Sequence, residues 1–230
     1  MIALALAALL PLALGVSLWM AILGRPRDTA AWLACLGAGY VVGFMALGAG
    51  LLPVRSTPAH ELFEFAAPWC AVALACALGS AWVRRGQAIR APGSERWTVT
   101  DLTLVALLLV VAFALFVQTL TLPTLGWDAW NAWFAKTRAW YEADALLPAR
   151  SVEAWLTDAK GNSLAVAAPH YPEVLPRIAL WMTSSIGRWD TAALHLPWAG
   201  LWLALGGIML GYLRLGGASW RVSLFATAFV

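Results

Sequence analysis

The stretch that begins at Gly126, GWDAWNAWFAKTRAWYEADAL, sets four tryptophans, a phenylalanine and a tyrosine among two aspartates, a lysine, an arginine and a glutamate. Asp128 is the residue there best suited to chemistry. A carboxylate can take the proton of a hydroxyl or hold a metal ion, and one at a helix start is kept ionised by the positive end of the helix. It can equally serve as an N-cap that accepts backbone N–H bonds, and its second oxygen leaves both roles open. A second cluster, PHYPEVLP, runs from Pro169 to Pro176. Its prolines stiffen the chain and remove backbone donors. It reads either as a rigid turn or as a frame that sets His170, Tyr171 and Arg177 around a phosphate, for which cations and hydroxyls are natural partners. Trp127, Trp130, Lys136 and Glu173 join these three as candidate donor-binding residues.

The first cluster has helical periodicity. At about 100° per residue, Trp127, Trp130, Trp133, Phe134, Trp140 and Tyr141 share an arc of roughly 140°, and Asp128, Asn131, Arg138 and Glu142 gather on another side. The expectation is an amphipathic helix whose aromatic face lies at headgroup level. Arg138 and Glu142, spaced i, i+4, are placed to pair.

Around these clusters the chain is apolar. Of 230 residues 62% are hydrophobic and 12% charged, with 15 tryptophans, against roughly 25% charged in an average soluble domain. The composition is that of an integral membrane protein, all-α, with helices packed as a bundle. The formal charge of +3 comes without a basic patch interleaved with polar groups, so no nucleic-acid partner is expected. Cys35, Cys70 and Cys76 make no metal spacing and read as small buried hydrophobes.

Runs long enough to cross hydrocarbon, about 20 residues, fall at approximately Ile2–Leu23, Ala30–Leu52, Leu62–Val83, Thr100–Leu122 and Thr191–Leu213. A sixth begins near Ser219 and reaches Val230, which reads as a piece of a longer protein. The arginines orient the spans. Arg25 and Arg27, then Arg84, Arg85, Arg90 and Arg96, sit in alternate linkers, and Arg214 and Arg221 follow the fifth span. By the positive-inside tendency these linkers are cytoplasmic, and residues 123–190 form one long extracytoplasmic loop. Within it Pro172–Gly187 is too short, too proline-rich and too charged for a span, and reads as a helix at the membrane surface. Loops of such length are usually functional or disordered, and so many tryptophans argue against disorder. His60, Glu61 and Glu64 read as a polar helix start, and His195 shows no evident partner.

Taken in order, GWDAW after an outward-running helix, HYPEVLP, a surface helix, GRWDTAALHLPWAGLWLALGGIMLGYL and RLGGASWRVSLFATAFV resemble the GT-C superfamily of membrane glycosyltransferases. Within it, the bacterial polytopic transferases similar to protein O-mannosyltransferases and to the lipid A aminoarabinose transferase come nearest. The resemblance covers residues 100–230, preceded by three additional helices in 1–99. It implies that Asp128 matches the loop aspartate that activates the acceptor or binds metal, and that His170 and Tyr171 match the segment facing a lipid-linked donor. It also implies transfer of a sugar from a polyprenyl-phosphate carrier at the extracytoplasmic face of a membrane such as the bacterial inner membrane; a divalent metal is a candidate cofactor that the resemblance does not require. Ala129 departs from the pattern, since many members follow the aspartate with a second acidic residue. A nucleotide-sugar donor is disfavoured, because no Gly-rich phosphate loop is present. Two other classes stay open: a non-catalytic assembly or scaffold protein, and a transporter or lipid-handling protein. For a transporter the spans carry unusually little charge.

Overall fold

The computed structural model describes residues 2–84, 86–92, 98–121, 133–158, 161, 163–166 and 169–229. In chain order the helices are α1 (Ile2–Leu23), α2 (Thr29–Leu51), α3 (Leu62–Val83, entered through a 3-10 turn at Ala59–Glu61), α4 (Val99–Thr121), α5 (Phe134–Ala143), α6 (Val152–Leu156), α7 (Val174–Ser184), α8 (Thr191–Leu215) and α9 (Trp220–Thr227). Four two-residue strands, β1 (Arg25–Pro26), β2 (Ala88–Ile89), β3 (Ala149–Arg150) and β4 (Leu164–Ala165), pair in parallel as β1 with β2 and β3 with β4. Among the described residues five helices, α1, α2, α3 with its entry turn, α4 and α8, are long and apolar enough to cross a membrane. Their boundaries fall within a few residues of those expected from hydropathy.

Side-chain caps start the helices where the sequence changes character. Asp28 accepts from the Ala31 N–H and starts α2, Asp190 accepts from Ala192 and Ala193 and starts α8, and Ser219 accepts from Val222 and starts α9. The bundle itself closes through small residues. A Cβ on Gly15 of α1 would stand 1.8 Å from the Gly39 carbonyl oxygen, and one on Gly43 of α2 would stand 1.8 Å from that of Pro11. Only glycine lets the two backbones touch in this way. Helices in lipid gain nothing from burying apolar surface already solvated by hydrocarbon, so close van der Waals packing is what joins them. Helix α8 approaches the other side of α2 in the same manner, with Gly211 over Ala30 and Ala34.

Successive spans alternate in direction. At one end the Arg84 guanidinium donates to the Ile22 carbonyl, Asp28 receives the Ala91 N–H, and Arg221 pairs with Asp101 at 3.2 Å. This is the arginine end. At the other, the loop end, the Trp181 indole donates to Ala7 (2.8 Å), the Phe63 N–H to the Ser184 hydroxyl (3.2 Å), and Arg177 to Leu51. Helix α4 packs against α8 and α9 with Asp101 its only buried residue, and it leaves a wall of Leu, Val and Phe exposed.

Helix α7 has 11 residues and so a length of about 17 Å, far short of the ~30 Å hydrocarbon core. It does not cross. Pro176 through Ser184 are all buried, wedged between the loop-end tips of the spans. Leu180 and Trp181 are fully enclosed, packed on neighbouring helices where a surface helix would turn them to lipid.

Candidate functional site

Helix α5 carries the described part of the first cluster. Asp128, Trp127, Trp130 and Asn131 lie outside the described residues. The expected division of α5 into two faces holds, but the aromatic face meets protein. Trp140 is fully buried and its indole donates to the Leu147 carbonyl (2.7 Å), while Tyr141 stacks edge-on against His60 with ring centres 4.2 Å apart. Phe134 lies against His195 and Trp198, at 5.6 and 6.3 Å. An amphipathic pattern marks a face to be covered without saying whether lipid or protein covers it, which is why the sequence pointed to headgroups. On the polar face Arg138 and Glu142 are exposed and pair at 2.7 Å.

Between the two faces α5 is stitched to the proline-rich segment. Lys136 has no exposed surface, and its ammonium donates to the carbonyls of Tyr171 (2.9 Å) and Pro169 (3.3 Å). The Thr137 hydroxyl donates to the Pro176 carbonyl (3.1 Å). Prolines deprive this segment of donors but not of acceptors, and α5 supplies donors to three of its carbonyls. Burial lowers the Lys136 pKa, and the nearby Glu173 carboxylate offsets part of that. Lys136 was expected to meet a donor substrate. Its two bonds go to the backbone on either side of His170, which makes it a support for that residue.

Arg177 likewise departs from its expected role beside a phosphate. Its guanidinium is fully buried and donates to the carbonyls of Leu51 (2.5 Å) and Val54 (2.8 Å) and to Glu173 (2.9 Å), and it lies 5.6 Å from the centre of the Trp140 ring. A buried guanidinium must be satisfied on all sides, and here the end of α2 and one carboxylate do so. Glu173 also accepts from Arg55 at 2.8 Å. Burial pushes its pKa up, but Arg177 and Arg55 outweigh that and hold the carboxyl below its ordinary value. The sequence offered no signal for the Arg55 partner, 118 residues away.

What this frame leaves outward is the pair His170 and Tyr171. His170 is exposed, Tyr171 half-buried, and their rings meet edge to face at 5.2 Å. Tyr171 lies 6.2 Å from Trp133, the first described residue after the stretch that holds Asp128. The indole N–H groups of Trp133 and Trp198 are buried without a hydrogen-bond partner among the described residues, so this region carries two donors not used by those residues. Below it, His195 is buried on α8 against Phe134. About two turns further down α8, an apolar crevice of about 260 Å³ opens between α4, α8 and α9, lined by Val105, Leu109, Leu115, Trp202, Leu210 and others.

His60 and Asp144 form a further contact missed in the sequence. Asp144, with a left-handed backbone at the end of α5, accepts from the His60 N–H (2.9 Å) and lies 3.4 Å from its ring nitrogen, locking α5 onto the entry to α3. For a metal, the described residues hold no group of three His, Cys, Asp or Glu side chains placed to bind one, and Asp128, the candidate ligand, is outside them. Comparison of the chain with known protein families, with curated proteins and with solved structures finds no match. The likeness to GT-C transferases therefore stands on the order and spacing of the motifs.

Proposed function

We propose that this chain acts as a membrane glycosyltransferase that moves a sugar from a polyprenyl-phosphate carrier to an acceptor hydroxyl, with Asp128 as the base. The observation that carries the reading is the rigid frame under His170 and Tyr171. Three donor–carbonyl bonds from α5 and a buried arginine hold those two rings outward, an expense of polar burial that a passive connector does not need. Asp128 precedes Trp133 by five residues, a tether of at most about 18 Å, short enough for a carboxylate to work beside Tyr171. The imidazole and phenol suit a phosphate and the indoles suit a sugar ring, while the apolar crevice beside α4 is compatible with an isoprenoid chain. In the reaction the acceptor hydroxyl gives its proton to the Asp128 carboxylate as its oxygen attacks the anomeric carbon. The bond from that carbon to the carrier's phosphate breaks, and the carrier leaves as polyprenyl phosphate.

In this reading the loop end is extracytoplasmic and the arginine end cytoplasmic. Single cysteines near Arg90 and Ser219 should resist an impermeant thiol reagent in intact cells, and one near Asn162 should react. The activity is tested with the full-length protein in proteoliposomes, offered polyprenyl-phosphate sugars and scored for loss of sugar from the carrier. Turnover of one such donor supports the reading. Failure with every donor, by protein that remains folded, favours the assembly-protein alternative.

A further inference from the structure

The arginine end carries a feature that the transferase reading does not use. Strands β1 and β2 pair in parallel, Arg25 with Ala88 and Pro26 with Ile89, and the Arg27 N–H continues the ladder to the Ile89 carbonyl (3.1 Å). The register therefore sets Arg27 opposite Arg90, with backbones about 5 Å apart. Paired residues in a parallel ladder share a face and alternate along it. Pro26 is buried and Ile89 packs on the cluster of Trp19 and Cys35, so Arg25, Arg27 and Arg90, all exposed, fall on the opposite face. Like charges directly opposed are unfavourable, and among the described residues none of the three guanidiniums has a hydrogen-bond or ion-pair partner. The acidic side chains described nearby are engaged. Asp28 gives its two oxygens to the N–H groups of Ala31 and Ala91, and Asp101 takes Thr98 and Arg221.

Depth decides the ligand. β1 begins two residues after α1 ends at Leu23, α2 begins three residues after β1 ends, and β2 begins only five residues after α3 ends. The exposed side chains beside it, Ile22, Leu23, Trp82 and Val83, are those of helix tips in lipid. The three arginines consequently stand at headgroup level, where the phosphodiesters of the bilayer lie. We propose that Arg27 and Arg90, with Arg25, form a binding site for the phosphodiester of an anionic phospholipid. The lipid neutralises the cross-strand repulsion and ties the α1–α2 linker to the α3–α4 linker. This inference is independent of the catalytic reading.

The test uses the purified full-length protein, with native mass spectrometry to count retained phosphatidylglycerol and thermal unfolding in phosphatidylcholine nanodiscs with and without phosphatidylglycerol. Arg27→Gln with Arg90→Gln should weaken phosphatidylglycerol retention by roughly 10- to 30-fold. Arg27→Lys with Arg90→Lys should restore most of it, and Arg221→Gln, which removes one positive charge from the same end, should leave it unchanged. In neutral lipid the double glutamine variant should be at least as stable as the parent, and only the parent should gain stability when phosphatidylglycerol is added. Equal weakening by Arg221→Gln would reduce the site to bulk charge. Lower stability of the glutamine variant in neutral lipid would make the arginines structural. Displacement of the lipid by an equal concentration of inorganic phosphate would show a soluble-anion site instead. Each of these outcomes overturns the proposal.

Discussion

The two ends of the bundle treat arginine in opposite ways. At the loop end Arg177 is fully enclosed and its guanidinium is met by two carbonyls, a carboxylate and an indole face. At the arginine end Arg25, Arg27 and Arg90 stand exposed on one face of a two-residue ladder. An enclosed charge is tolerated only in one geometry, so it fixes what surrounds it. An exposed charge fixes nothing by itself and is free to meet what approaches it. The first arrangement is a scaffold under His170 and Tyr171, and the second is a surface.

Removing the enclosed charge should do the most damage. Arg177→Ala leaves Glu173 with Arg55 alone and strands the Leu51 and Val54 carbonyls, and loss of one partner from a buried pair costs about 3–5 kcal/mol. Unfolding in detergent should show a loss of this size. An effect within ordinary surface values, under about 0.5 kcal/mol, would mean that α7 is held by packing alone. Gly43→Leu strikes the bundle away from either end. It must push α1 from α2, at about 1–3 kcal/mol for overpacking, and should lower the melting temperature without altering the pH dependence of unfolding.

That pH dependence separates the ends further. Glu173 is held below its ordinary carboxylate value of 4.5, so its pairing contributes stability that is fully present above that value. The contribution fades as the pH falls below 4.5 and through the lowered folded value. Glu173→Gln should be less stable than the parent at neutral pH, and the gap should close in acid. A constant gap from neutral pH to strongly acid solution would place the acid sensitivity elsewhere. The smallest effect belongs to the exposed pair on α5. Glu142→Gln should cost only a few tenths of a kcal/mol, and that cost should vanish in high salt.

The sequence disclosed the spans because hydropathy over 20 residues needs no knowledge of neighbours, and Leu62–Val83 as read is α3 as found. It disclosed the faces of α5 by the same period. What covers those faces was not legible, since lipid and the protein interior are equally apolar, and Trp140, Trp181 and Leu180 all turn to protein. Partners far apart in sequence were hidden for a different reason. Nothing local in Arg55 or His60 points to Glu173 or Asp144, and the contacts arise only when the helix tips converge. Arg177 was assigned to a ligand phosphate because a cation among prolines looks available until the end of α2 is placed over it. The two-residue strands carry no periodicity at all.

One measurement bears most directly on the transferase reading. Asp128→Asn and Glu142→Gln are expressed to matched levels in the full-length protein and assayed for transfer from the polyprenyl-phosphate sugar that the parent turns over. Asparagine caps a helix about as well as aspartate, so the thermal unfolding of Asp128→Asn should match that of the parent. Its turnover should fall by roughly 100- to 10,000-fold, the range of general-base catalysis, while Glu142→Gln stays near parental turnover. An Asp128→Asn enzyme with near-parental turnover would contradict the account and leave Asp128 as a helix cap.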